Sequence, residues 1–177
     1  MQQTVRLGIL GCANIVEKQI AAALKGVANC QLAAISSRDP QKAKEWGARL
    51  GCSYETSYED ILQREDIDAV YVPLPVGLHK EWVVKAAQAG KHILCEKSLA
   101  ESYTSVKEMV LACEQKNVHL FENFMCNYHP QHERVRELME NGELGRVFLF
   151  RGAFGFPPLP DENIRYSKEL GGGSLND

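Results

Sequence analysis

VRLGILGCANIV, Val5 to Val16, passes from an apolar strand pattern through a glycine into a helical pattern. Val5 to Leu10 reads as a buried strand that ends in Gly11, and Asn14 is placed to cap a helix. Its apolar positions, Ile15, Ile20, Ala23, Leu24 and Val27, fall on one broad face. A glycine that closes a first strand and opens a helix marks the place where a pyrophosphate meets a helix N-terminus. Against G-x-G-x-x-G, Ala13 stands at the second glycine and Val16 at the third. Context therefore carries the assignment of Gly11, Cys12, Ala13, Asn14 and Ile15 to a cofactor turn.

Working outward, strand-length apolar runs alternate with longer segments of helical period, the pattern of βαβ units in a parallel sheet. Leu32 to Ile35 is the next strand. Asp39 and Pro40 open a helix as cap and first residue, Ala43, Trp46 and Leu50 lie on its buried side, and Gly51 stops it. Ser57 with Asp60 resembles a capping box for a short helix through Leu62. Ile67 to Val72 is a strand closed by Pro73 and Pro75, followed by a helix lined by Trp82, Val83, Ala86 and Ala87 that ends at Gly90. Ile93 to Cys95 and Val118 to Phe124 are further strands, separated by a helix from Thr104 to Glu114 with Val106, Val110 and Leu111 at helical spacing. The whole reads as a doubly wound parallel α/β sheet with right-handed crossovers.

After Gly145 the pattern changes. Arg146 to Phe156, RVFLFRGAFGF, puts Phe148, Phe150, Phe154 and Phe156 on one face at period two, which predicts an antiparallel-type strand. Pro157, Pro158 and Pro160 and then Gly171 to Gly173 follow. The expected organisation is a Rossmann dinucleotide-binding domain over 1–124, then over 125–177 the start of an α+β open-sheet domain that is cut off.

Composition narrows the classes of function. The 177 residues are 45% hydrophobic and 24% charged, with a net charge of -3 and a pI near 6.0, so no basic face for nucleic acid is expected. No run approaches the ~18 apolar residues of a membrane span, and MQQTVRLGIL lacks the features of a secretory signal. A cytoplasmic protein is expected. The six cysteines are scattered with no C-x-x-C pair, as expected of reduced thiols. His129 and His132 form an H-x-x-H with Pro130 between them and no companion ligands, so no metal is expected.

Candidate chemistry lies at two strand ends. In KHILCEKSLA, Lys91 to Ala100, an apolar strand delivers Glu96 and Lys97 to its carboxyl end, where open α/β sheets bind ligands. At the end of the second strand, where many NAD sites place an acid for the ribose, this chain has Ser36, Ser37 and Arg38, with Lys42 one turn into the helix. Arg38 suits a 2′-phosphate and can stack on adenine, and the serines add neutral donors. NADP is preferred, with NAD possible.

The ordered series GILGCAN (Gly8 to Asn14), SSRDPQKA (Ser36 to Ala43), YVPLPVGLH (Tyr71 to His79), GKHILCEK (Gly90 to Lys97), NFMCNYHPQ (Asn123 to Gln131), GELGRV (Gly142 to Val147) and NIRYSKELGGGSLND (Asn163 to Asp177) resembles the glucose-fructose oxidoreductase and inositol dehydrogenase family, Gfo/Idh/MocA. Within it the chain looks most similar to the dihydrodiol dehydrogenase, xylose dehydrogenase and nucleotide-sugar ketoreductase group. The resemblance implies hydride transfer between NAD(P) and a sugar, nucleotide-sugar or related cyclic polyol or ketone, and homo-oligomers formed through the C-terminal sheet. Lys97 matches the E-K-P lysine between nicotinamide and substrate, where an ammonium can polarise the reacting oxygen and pass a proton. By the same resemblance Asp177 matches a substrate-orienting aspartate, Glu96 joins the cofactor set, Pro73, Leu74 and Pro75 match the turn over the nicotinamide, and His79 matches a histidine lining the cofactor cleft. Tyr128 and His129 match an R-[YF]-H-P segment, and Asn163 with Arg165 an N-[IV]-R element, as substrate-side candidates. The chain departs from the family at Ser98, in place of the proline of E-K-P, at Ala13, at Cys126 and Asn127, and at Asn176. The alternative in another class is a non-catalytic NADP-binding fragment or paralogue acting as a sensor or interaction module.

Overall fold

The computed structural model describes residues 4–153, 155 and 157–173. Its contacts divide the chain into two units, Met1–Asn123 with Ile164–Asp177, and Phe124–Asn163. The described residues from Ile164 to Gly173 group with the first unit.

The first unit is one parallel sheet of six strands, β1 (Val5–Leu10), β2 (Cys30–Ser36), β3 (Ser53–Glu55), β4 (Ala69–Val72), β5 (His92–Glu96) and β6 (Leu120–Asn123), in the order β3-β2-β1-β4-β5-β6. That order reverses direction between β1 and β4 and opens a crevice at their carboxyl ends. The register aligns Leu10 with Ser36, Val72 with Cys95 and Glu96 with Asn123, which brings the strand ends to one edge.

Helices cover both faces. α1 (Ala21–Lys25), entered through a π-helical turn Val16–Ile20, and α2 (Pro40–Leu50) cover Leu7, Ile9, Ile35 and Tyr71. α3 (Tyr58–Gln63), α4 (Val76–Gln88) and α5 (Tyr103–Gln115) cover Leu10, Val70, Val72 and Ile93. Ile9, Val70, Val72, Val83 and Ala86 are fully buried, and burying each larger aliphatic contributes about 1.5–3 kcal/mol. Helix ends follow local chemistry. Asp39 Oδ1 accepts from the Gln41 and Lys42 amides at 3.0 and 3.2 Å, and Gly51 ends α2 at φ 69°. Ser57 Oγ accepts from the Asp60 amide at 3.0 Å.

Three expectations are corrected. Asn14 is not a cap: helical winding already includes it, the Ala13 carbonyl accepts from the Val16 amide at 2.9 Å, and Asn14 is exposed in the first turn. β3 is a strand that none of the apolar runs quoted above contains; three residues with Tyr54 exposed give too little alternation to register. Residues 146–153 and 155 form no strand, and Phe148 and Phe150 are 80% and 84% exposed. A strand needs a neighbour for its backbone groups, and the described residues of the second unit provide none. The Arg146 guanidinium lies over the Phe148 ring at 4.9 Å instead. Phe154 and Phe156 lie outside the described residues.

The second unit carries a 3-10 turn, Met125–Tyr128, and α6 (Pro130–Glu140). Among the described residues no helix is long and apolar enough to cross a membrane, and no three His, Cys, Asp or Glu side chains cluster as a metal site would require. All six cysteines are free.

Candidate active site at the carboxyl edge of the sheet

Gly11 ends β1 with φ 105°, a conformation that favours glycine, and its amide donates to the Ser36 carbonyl at 3.0 Å. A Cβ there would meet Leu74 Cδ2 at 3.0 Å and the Tyr58 hydroxyl at 3.4 Å, so the turn presses against the turn after β4. Cys12, Ala13 and Ile15 are half-buried behind it. The Cys12 thiol points at the Ser36 carbonyl at 3.8 Å, and burial pushes its pKa up against the opposing charge of Lys42.

At the end of β2 the two serines have different fates. Ser36 is fully buried and its hydroxyl donates to the Ile9 carbonyl at 3.0 Å, which corrects its placement in the cofactor set: that proton is used inside the sheet. Ser37 is buried as well: its Oγ accepts from the Asp39 amide at 3.2 Å, and its hydroxyl lies against the Cys12 thiol. Asp39 is occupied in capping α2, which leaves Arg38 and Lys42, both exposed, as the charged groups of this rim. Burial raises the pKa of the Tyr58 phenol, and the charge of Arg38 beside it opposes that rise. Tyr58, buried edge-on against Trp82 at 4.8 Å, went unnoticed in the sequence because it reads only as the first residue of α3.

After β4, Pro73 is buried and Leu74 and Pro75 are half-buried. His79 is fully buried, with ring nitrogens 2.7 Å from the Leu74 carbonyl and 2.9 Å from the Ser98 carbonyl. The expectation that it lines the cleft is therefore corrected: a side chain with no accessible surface has nothing to offer a ligand. It ties the turn after β4 to the loop after Lys97.

Glu96 and Lys97, both half-buried, leave the end of β5. Glu96 Oε1 accepts from the Tyr71 hydroxyl and from Asn123 Nδ2, each at 2.6 Å. Burial and the adjacent carboxylate together push the Tyr71 pKa up, so this phenol is a donor that keeps its proton. Tyr71 and Asn123 were missed in the sequence; each sits inside a strand, and only the registers β4–β5 and β5–β6 bring them to Glu96. The Lys97–Ser98 peptide is cis.

Arg165 belongs to the segment that groups with the first unit, and its carbonyl accepts from the Gly173 amide at 2.9 Å. Tyr128, His129 and Asn163 lie in the second unit. There Tyr128 is 74% exposed, His129 Nδ1 accepts from the Gln131 amide at 3.2 Å as the cap of α6, and the Asn163 amide donates to the Pro160 carbonyl at 2.9 Å. Asp177 lies outside the described residues.

The crevice thus has a glycine turn with no Cβ at its floor, a rim of Ser37, Arg38 and Lys42 with its one carboxylate tied up, and a lysine at the far side. That donor set fits a dinucleotide with an extra phosphate on its adenosine end.

Comparison with known proteins agrees with this geometry. Residues 5–124 match the family described as "Oxidoreductase family, NAD-binding Rossmann fold", GFO_IDH_MocA, and residues 132–177 match the "GFO/IDH/MocA C-terminal domain". A dTDP-3,4-didehydro-2,6-dideoxy-alpha-D-glucose 3-reductase of Saccharopolyspora spinosa is 45% identical over 177 residues, 100% of this chain and 53% of that protein. A D-xylose 1-dehydrogenase (NADP(+)) of Haloferax volcanii is 42% identical over 173 residues, 96% of this chain and 52% of that protein. A 3-ketoreductase from Actinomadura kijaniata, crystallised with NADP and TDP-benzene, superposes with a TM-score of 0.95 at 38% identity, covering 99% of this chain and 54% of that one. The chain spans about half the length of the curated relatives it matches. A six-stranded sheet with its crevice at the β1/β4 reversal and the family's motifs around it place this chain in the Gfo/Idh/MocA oxidoreductase family.

Proposed function

We propose that this chain carries the cofactor site and reacting lysine of an NADP-dependent oxidoreductase that moves a hydride between the nicotinamide and a CH–OH or ketone carbon of a nucleotide sugar or related sugar. The observation that carries this is the convergence, at one sheet edge, of the Gly11 turn, the Ser37 and Arg38 rim and Lys97. The relatives that reduce nucleotide sugars or use NADP support the substrate class and the cofactor.

NADPH supplies the hydride when it is bound. Gly11 lets the backbone of residues 11–14 approach the pyrophosphate, Ser37 closes the strand end beside the adenosine ribose, and Arg38 and Lys42 pair with a 2′-phosphate. Pro73, Leu74 and Pro75 wall the nicotinamide half. Lys97 donates a hydrogen bond to the substrate oxygen, stabilising the negative charge that builds there as a carbonyl is reduced, and hands it a proton. Glu96, held by Tyr71 and Asn123, fixes the end of β5 from which Lys97 projects. Asp177 is proposed as a substrate-orienting partner, with Tyr128, His129, Asn163 and Arg165 on the substrate side. The domains are proposed as 1–124 and 125–177, the second supporting a homo-oligomer; the exposed Phe148 and Phe150 support a surface that pairs with further sheet. Six free thiols support a reducing, cytoplasmic setting.

The test is Lys97→Met in the full-length protein, read by NADPH fluorescence titration and single-turnover hydride transfer to nucleotide-ketosugars. NADPH affinity should stay within about threefold, while hydride transfer falls by about 100-fold or more, the scale of a lost general acid. NADPH binding with no turnover in the parent protein would favour the sensor module instead.

A further inference from the structure

Between Ile164 and Gly173 the chain comes back to the first unit and lies on the first turn of α4 and on the loop that follows Lys97. The contact is backbone against backbone. A Cβ on Gly77 would stand 3.1 Å from the Leu170 carbonyl carbon and 3.3 Å from the Glu169 oxygen. One on Gly171 would stand 2.7 Å from the Gly77 nitrogen, 3.1 Å from Val76 Cβ and 2.5 Å from Glu101 Oε1. Gly171 also has φ 79°, which a side chain would strain.

The returning segment is hydrogen-bonded within itself. Two 3-10 turns, Ile164–Tyr166 and Lys168–Leu170, are closed by the amides of Gly171, Gly172 and Gly173, which donate to the carbonyls of Lys168, Ser167 and Arg165 at 3.1, 2.8 and 2.9 Å. Gly172 has no room for a side chain either, since its Cβ would meet the Arg165 oxygen at 2.5 Å. A small hydrogen-bonded hook is thus seated on the first turn of α4, directly after Pro73–Pro75, and against Glu101 in the loop that follows Lys97.

We propose that Gly77 and Gly171 are positioning residues, a latch of bare backbone that holds Ile164–Gly173 in register with the first turn of α4 and the loop after Lys97, which flank the nicotinamide end of the site. This rests on the oxidoreductase reading above. Glycine is otherwise a poor choice at residue 77, in the first turn of a helix where alanine and leucine are better helix formers. The close seat explains it: a Cβ there crowds the backbone of Glu169 to Gly171, which must give by a few tenths of an ångström, and a longer side chain needs more.

The full-length protein carrying Gly77→Ala or Gly77→Leu tests this. Because both replacements favour α4, a functional loss cannot come from a weakened helix. Amide hydrogen exchange in Ser167–Gly173 should quicken in both variants. The kcat for nucleotide-ketosugar reduction should fall by about threefold for Gly77→Ala and about 100-fold for Gly77→Leu, the scale of an ångström-sized misplacement, with the NADPH Kd within about twofold of the parent. Unchanged exchange in Gly77→Leu would remove the latch whether or not the protein is an enzyme. Faster exchange with an unchanged kcat would remove the positioning role. A parent protein with no turnover would sink the oxidoreductase reading and the positioning role together, and exchange would still decide the contact.

Discussion

Ser36 and Ser37 are buried neighbours with the same hydroxyl and different partners. Ser36 donates to the Ile9 carbonyl, whereas Ser37 accepts from the Asp39 amide and lies against the Cys12 thiol. Asp39, two residues on, is the acid that could have received a ribose hydroxyl, and capping α2 takes it out of play. On the proposed reading, discrimination between NADPH and NADH falls to Arg38, with Lys42 beside it. For Arg38→Ala the NADPH Kd should rise by about 10- to 100-fold, the worth of a charged hydrogen bond, while the NADH Kd moves by less than about threefold. Fluorescence titration with both cofactors reads this, and equal weakening of the two would show that Arg38 does not face the 2′-phosphate. The same logic separates Glu96 from a passive neighbour of Lys97, because two donors hold its Oε1 at 2.6 Å each.

β1 shows how an element is shaped by what lies on it. Its pairing with β2 slips between Leu7 and Gly8, and Gly8 is buried where α3 and the following loop come close. A Cβ on Gly8 would lie 2.8 Å from Ile61 Cγ2 and 2.9 Å from Ile67 Cδ1. Gly8→Ala should therefore destabilise the fold by about 1–3 kcal/mol, the usual cost of overpacking, seen as a lower urea midpoint with an unchanged slope. An unchanged midpoint would mean that α3 can move away freely. A glycine within a strand pattern signals close approach, yet the partner, α3, is set only by the crossover. The aromatic run after Gly145 shows the reverse. Its period is right for a strand, and no neighbour among the described residues pairs with it, so the ladder does not form.

Across the whole molecule, the amino edge of the sheet is held by charge. Asp68, in the loop before β4, receives the Arg6 amide at 2.7 Å and its guanidinium at 2.7 and 2.9 Å, which ties β1 to β4. The Arg6 guanidinium, together with the amide, lowers the Asp68 pKa from 3.8 to about 2. A carboxylate whose folded pKa is depressed adds stability that is complete above its unfolded value and is lost as pH falls toward the folded one. Denaturation midpoints should thus decline between about pH 4 and pH 2, and Asp68→Asn should flatten that part of the profile while lowering stability at neutral pH; a variant as acid-sensitive as the parent would assign the decline elsewhere. The strands of the doubly wound sheet other than β3, the glycine turn and the cap at Asp39 could be read from the chain, because periodicity, caps and turns are decided by residues a few positions apart. Which of the candidates still have an atom to offer a ligand could not. Ser36 and His79 are consumed by carbonyls 27 and up to 19 residues away in sequence, Tyr71 and Asn123 reach Glu96 from 25 and 27 residues away, and Gly77 meets Gly171 only after the chain has left the first unit and returned. The amino-acid sequence by itself determined the local elements and the chemistry available at the strand ends; the tertiary structure decided which of those groups are already spent, because hydrogen-bond partners and close backbone approaches are set by contacts distant along the chain.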